Sequence, residues 1–310
     1  MGGTDLGRFT RPQAGTRSTS YSGNPENQRI EEAIISEAHM SKFVRYFVLT
    51  FMLAGAGMNA TADPLSGQAK QLYGRATQEA RLTGISPEVV PTQDGRSFFL
   101  VWEPQALRGK PHKWIVSLHG SNGFATRDLE IWSPYLKDRD LGIISLQWWF
   151  GGGGKTEDYY SPFDIYREVD LLLRRMGIKP GDAMLEGFSR GSANIYAIAA
   201  LDRDKGQRYF SLFVANAGGA SLDYPPTRAV DTGKFGDRPY NGSRWITSCG
   251  ARDPHPDRDG CPAMRRTGDW LKKLGAEVAF AIEDGSEGHG AFHRNPQNAD
   301  RALDWFLRNP

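Results

Sequence analysis

The sequence predicts an α/β protein built on a mainly parallel central sheet with helices on both faces. Three observations carry that expectation. Strand-like apolar runs at 114–118, 142–147, 183–186, 211–215, 244–248 and 277–282 alternate with helix-like runs at 127–137, 163–176, 192–202, 262–274 and 296–307, and strands separated by crossover helices pair in parallel. The 310 residues, 39% apolar and 24% charged, suffice for one large core. Between one strand-like run and the helix-like run after it stands Gly187-Phe188-Ser189-Arg190-Gly191, a strand-to-helix turn so tight that only glycine fits at its flanks.

Residues 1–39 are rich in Gly, Ser, Thr, Asn, Gln and Arg and carry little apolar content, the composition of a disordered segment. Residues 40–62 read as a secretory signal peptide: a basic start at Met40 to Arg45, an apolar stretch at 46–58 and an Ala60-Thr61-Ala62 cleavage site. On this reading translation starts at Met40, and 1–39 is a spurious extension. The apolar stretch is short of the roughly 20 residues that span a bilayer, so cleavage rather than a membrane anchor is expected. The mature domain is then 63–310, periplasmic or secreted. It opens with an amphipathic helix over 66–82 and a hairpin formed by 88–90 and 97–102 around Asp94-Gly95.

A formal net charge of +2, with Lys and Arg scattered, argues against nucleic acid and against an anionic membrane surface as partners. The two cysteines, Cys249 and Cys261, lack the companion ligands of a zinc site. In an exported chain they can close a disulfide around the intervening loop; in a reducing compartment they are two separate thiols.

The Ser189 pentapeptide resembles the nucleophile elbow of the α/β-hydrolase superfamily, and the resemblance extends from about residue 98 to the C-terminus. It implies a Ser-acid-His order with the histidine on the loop after the last strand. Of six histidines, His289 in Glu287-Gly288-His289-Gly290 fits that place, with His293 as the alternative. Gly250-Ala251-Arg252-Asp253 resembles the superfamily's Gly-x-x-Asp turn, so Asp253 is the expected acid, with Asp257 and Asp259 behind it. The oxyanion hole would take the backbone N–H of Arg190 and that of Ser121, with Gly120 second, from the His119-Gly120-Ser121-Asn122-Gly123 loop. His119 then braces the loop. A Cys249–Cys261 disulfide would bracket the acid's loop.

Trp148, Trp149 and Phe150, expected beside the elbow strand, suggest an aromatic wall or stacking platform for substrate, although alternate members can equally point into the core. The segment 219–242, rich in Pro, Gly and charge, breaks the alternation and is a candidate lid or substrate loop, or a plain surface insertion. Gly154-Lys155-Thr156 resembles the end of a phosphate-binding loop, but Trp149 stands where that motif needs glycine.

Together these features imply an exported serine hydrolase that cleaves small-molecule or polymeric carboxylic esters through an acyl-enzyme, with no metal or organic cofactor. The export signal and the His-Gly-Ser loop are similar to those of secreted polyester depolymerases and feruloyl or acetyl-xylan esterases. A prolyl-oligopeptidase-like peptidase and a non-catalytic binding module on the same fold are the alternatives. The export reading makes Asp63 the first residue of the mature protein. N-terminal sequencing of exported material is expected to find it, and an intact Met1 would overturn the reading.

Overall fold

The computed structural model describes residues 64–309 apart from 66, 81 and 137; the expected extension at 1–39 and signal peptide at 40–62 lie outside the described residues. The chain begins with helix α1 (Gly67–Glu79), whose buried face is Ala69, Leu72 and Ala76. The hairpin β1 (Glu88–Pro91) and β2 (Phe98–Trp102) follows. Its turn closes because Gly95 adopts φ 68° and donates to Thr92 O at 2.9 Å.

From there strands and helices alternate: β3 (Lys113–Leu118), α2 (Ala125–Leu136), β4 (Leu141–Leu146), α3 (Pro162–Met176), β5 (Ala183–Phe188), α4 (Arg190–Asp204) and β6 (Phe210–Asn216). The second half runs through α5 (Pro225–Asp231), β7 (Arg244–Gly250), α6 (Cys261–Lys273), β8 (Glu277–Asp284), α7 (Ala291–Arg294) and α8 (Pro296–Arg308). The eight strands form one sheet in the order β1-β2-β4-β3-β5-β6-β7-β8. Pairings from β4 to β8 are parallel, and the β1-β2 and β2-β4 pairings are antiparallel. Central strands are buried along nearly their whole length, as a parallel sheet covered on both faces requires.

Helix ends follow local chemistry. Ser161 caps α3 by accepting from Asp164 N at 3.2 Å, Pro162 occupies its first turn, and Gly177 ends it in the left-handed conformation. Among the described residues no helix is long and apolar enough to cross a membrane.

Two expectations change. The segment 219–242 is the β6-to-β7 crossover and contains its own helix, α5, which the Pro225-Pro226 pair disguises as a break although proline suits a first turn. It is pinned by Ala220 N to Thr267 Oγ1 (2.8 Å), Tyr224 OH to Asn194 Oδ1 (2.8 Å), Trp270 Nε1 to Asp231 Oδ1 (2.8 Å) and the buried Tyr240 OH to Tyr196 O (2.9 Å). Second, β4 is not beside the elbow strand, because β3 lies between them.

Beneath the elbow strand lies a buried polar cluster. Ser117 Oγ stands 2.9 Å from Asp128 Oδ2 and 3.1 Å from Glu186 Oε2, while Asn216 Nδ2 donates to Glu186 Oε1 at 3.0 Å. Burial, and after it the neighbouring Glu186, pushes the Asp128 carboxyl well above the usual carboxylate range, which favours the neutral acid.

The Cys249–Cys261 disulfide, spanning a separation of 12 residues, joins the end of β7 to the start of α6. Replacing both cysteines by alanine is expected to cost about 3 kcal/mol by loop entropy, with faster amide exchange across 250–260; unchanged melting would show that backbone bonds alone hold that loop. Asp128 supplies a second test. Its folded-state pKa is raised, so stability declines as pH rises from about 4 towards the folded value. Asp128→Asn, neutral at every pH, is expected to melt at least as high as wild type at neutral pH and to flatten that decline; a steep loss of Tm would mean the ionised form is the one the core requires.

Candidate active site

Ser189 follows β5 with φ 54° and ψ −113°, a strained conformation for a residue with a side chain. The surrounding packing enforces it. A Cβ at Gly187 would lie 2.5 Å from the Gly191 carbonyl carbon, and one at Gly191 would strike Leu118 O. Ser189 N donates to Asn216 O at 2.8 Å, tying the elbow to the neighbouring strand. The hydroxyl is thereby presented at the C-terminal edge of the sheet, close to the point where strand order turns from β4-β3 to β5-β6.

The structure brings the three expected side chains together. His289 Nε2 lies 2.9 Å from Ser189 Oγ, and His289 Nδ1 lies 2.7 Å from Asp253 Oδ2. The Asp253 side chain is fully buried while that of His289 is 31% exposed. With Nδ1–H donating to Asp253, Nε2 is left to accept the serine proton. The other Asp253 oxygen accepts from His255 N at 2.8 Å, which fixes the carboxylate's orientation.

Each partner comes from the end of a different strand. Asp253 sits on the turn after β7 and His289 on the loop after β8. A Cβ at Gly250 would collide with Gly288 O, so glycine there lets the two loops touch, and Ala251 N to Asp284 O (2.8 Å) and Arg252 N to Glu287 O (3.0 Å) join them. Asp284 organises the histidine loop. Its Oδ1 accepts from Ser286 Oγ (2.7 Å), Ser286 N (2.9 Å) and Glu287 N (3.1 Å), and its Oδ2 from Asn295 Nδ2 (2.8 Å) and Asn298 Nδ2 (2.9 Å). These bonds, the Ser286 hydroxyl foremost, hold the Asp284 carboxyl well below the usual range.

The alternatives to Asp253 and His289 have other partners. His293 Nε2 lies 3.8 Å from Glu186 Oε1, beneath the elbow. Asp257 pairs with Arg266 at 3.5 Å. Asp259 is buried and close enough that Asp253, Asp259 and His289 each offer a ligand atom within 4.8 Å of the others. Both ring nitrogens of His289 are nevertheless engaged by Ser189 and Asp253, and Asp259 pairs with Arg258 at 2.6 Å, so this cluster has the contacts of a proton relay rather than those of an open metal site.

The loop after β3 lies against Ser189: a Cβ on Gly120 would be 3.4 Å from Ser189 Cβ. His119 braces it, with Nδ1 2.9 Å from Gly120 O and its ring stacked on Trp148 at 5.2 Å. Burial lowers the His119 pKa to about 4, which keeps the imidazole neutral. Arg190 opens α4, and its guanidinium donates to Gly154 O at 3.0 Å.

The aromatic run is a correction. Trp148 and Trp149 are 1% and 6% exposed, because 148–150 folds back on 158–160 through Tyr160 N to Trp148 O (2.9 Å) and Phe150 N to Asp158 O (2.8 Å). Trp148 donates to His119 O and Trp149 to Gly153 O, while Phe150 packs edge-on against Tyr160 beneath Arg96. The two tryptophans are thus core rings and form no platform for a ligand, while Phe150 is partly buried. The open space is instead a groove of about 1360 Å³ that starts at Gly120, Ser121 and Phe188 and runs between α2 and α7–α8 to Asp300 and Leu307. Neither Ser189 nor His289 lines it; the Phe188 ring, 5.0 Å from the His289 ring, stands at the boundary.

No family model matches the chain, and no curated protein does. Among solved structures it is similar to TT1662 from Thermus thermophilus, with a TM-score of 0.52 and 19% identity over 72% of this chain and 97% of that one. It is also similar to the Francisella virulence factor BioJ (TM-score 0.55, 14% identity, 78% of this chain and 91% of that one). A third is the Pyrobaculum calidifontis esterase (TM-score 0.52, 15% identity, 80% and 94%). With β3 to β8 in parallel, an elbow after β5 and these neighbours, the chain has the α/β-hydrolase fold.

Proposed function

We propose that the chain is a serine hydrolase that cleaves carboxylic esters through an acyl-enzyme, with Ser189 as nucleophile, His289 as general base and acid, and Asp253 as the group that orients and stabilises the imidazole. The observation that carries this is the continuous relay of 2.9 Å and 2.7 Å from Ser189 Oγ through His289 to a fully buried carboxylate. Ser189 Oγ attacks the ester carbonyl as its proton passes to His289 Nε2. The tetrahedral oxyanion collapses, the alcohol leaves with the proton held by His289, and a water activated by the same nitrogen releases the acid.

The backbone N–H of Arg190, unpaired within the helix at its first turn, and that of Ser121, with Gly120 second, are the donors for the oxyanion. The esterase among the structural neighbours supports the ester class. Export fits the disulfide, which persists in oxidising compartments.

Labelling the oxidised protein with a fluorophosphonate and mapping the adduct by mass tests the reading. Modification at Ser189 is expected, abolished in Ser189→Ala and strongly slowed in His289→Ala, with turnover of a 4-nitrophenyl ester falling at least about 10⁴-fold in either variant. A folded sample that neither labels nor turns over an ester panel would leave a binding module on the same fold as the better account.

A further inference from the structure

We propose that Tyr159 is a positioning residue of the oxyanion hole, the side chain that fixes its two donor-bearing segments relative to one another. The inference rests on the hydrolase reading above. The two donors belong to separate elements, Ser121 to the loop after β3 and Arg190 to the first turn of α4, and Tyr159 is bonded to the neighbour of one and stacked against the side chain of the other. Its hydroxyl donates to Asn122 Oδ1 at 2.7 Å and accepts from Asn122 N at 3.1 Å, so both capacities of the phenol are spent on the residue next to Ser121. Asn122 has φ 55°, a left-handed conformation that asparagine tolerates better than most residues. The double bond to Tyr159 holds it there.

The face of the same ring carries the other segment. The Arg190 guanidinium carbon lies 3.9 Å from the Tyr159 centroid, and Arg190 Nη1 donates to Gly154 O at 3.0 Å. Stacking and a hydrogen bond from one guanidinium fix the residue that follows the nucleophile.

Tyr159 can serve as a fixed reference because it is itself immobilised. It is 6% exposed, its backbone bridges Trp149 in antiparallel fashion, and its ring packs 4.9 Å from that of Trp148. Trp148 in turn stacks on His119, at the base of the same oxyanion loop. The aromatic hairpin thus ties the β3 loop to the start of α4. An oxyanion donor is effective only when it is aimed at the point where charge develops, and losing one costs about 10²- to 10³-fold. A reference side chain acting through alignment should therefore affect the transition state and leave substrate binding largely alone.

The test compares Tyr159→Phe, which keeps the ring beneath Arg190 and removes both Asn122 bonds, with Tyr159→Leu, which removes both links. Three quantities are read: kcat and KM on a 4-nitrophenyl ester, the Ki of a trifluoromethyl ketone whose adduct with Ser189 places an alkoxide in the hole, and Tm. For Tyr159→Phe, kcat is expected to fall about 10-fold with KM within about 2-fold, and the Ki to rise in the same proportion. Tyr159→Leu should lose more of both. An active wild type whose Tyr159→Phe variant keeps its kcat and Ki overturns the proposal, as does a kcat loss that leaves the Ki unmoved. A wild type inert to ester and fluorophosphonate alike overturns the hydrolase reading and takes this inference with it.

Discussion

The strained backbone at Ser189 is the constraint on which the rest of the site depends. A non-glycine residue at φ 54° and ψ −113° costs roughly 1–3 kcal/mol and persists only where its surroundings over-determine it. Here they do so from three sides. Asn216 O receives the Ser189 N–H from β6, Leu118 O blocks any side chain at Gly191 from β3, and a Cβ on Gly218 would collide with Ser189 O. Both neighbouring strands therefore clamp the turn, and the elbow cannot relax without breaking the register of β3-β5-β6. The parallel sheet stores the strain, and the placement of the Ser189 hydroxyl at its edge is the product.

The same dependence on register extends to the relay. Ser189, Asp253 and His289 stand after β5, β7 and β8, so strand pairing sets their separation and the loops set their aim. The acid loop is closed by the disulfide and by Gly219 N to Arg258 O at 3.0 Å. The histidine loop is gathered by the Asp284 carboxylate, whose bonds to Asn295 and Asn298 also hold it to α8. Ionised Asp284 is what makes these bonds strong. It thereby shapes the segment that carries His289.

Much of this was legible in the sequence because it rests on local rules. Alternating runs placed every strand of the parallel sheet to within a few residues. Gly-x-Ser-x-Gly, Gly-x-x-Asp and the late His-Gly are each short, so a reading of neighbours along the chain reached Ser189, Asp253 and His289. Asp284, and Tyr159 in its proposed role, were missed because the contacts they make exist only after folding. Tyr159 lies 37 residues from Asn122, with no motif joining them, and Asp284 resembles any acid at a strand end. The aromatic run at 148–150 misled for a related reason. Position at a strand's C-terminal end does not reveal whether the chain then turns back and covers its own rings, as the Trp149–Tyr159 bridge makes it do.

The raised pKa of Asp128 bears on why such polar groups can lie beneath Ser189 at all. In the proposed reaction negative charge develops at the C-terminal edge of β5, and an ionised carboxylate inside the sheet below would oppose it through a weakly screening medium. Burial, and after it the neighbouring Glu186, raises the Asp128 carboxyl well above the usual carboxylate range, which disfavours such a charge there. Glu186 meanwhile accepts from Ser117 and Asn216, and His293 lies alongside it. Asn216 links the two levels directly, since its side chain donates to Glu186 while its carbonyl holds the Ser189 N–H. The buried cluster thus reaches the elbow through hydrogen bonds, with Asp128 biased away from the charge that would work against the proposed reaction above it.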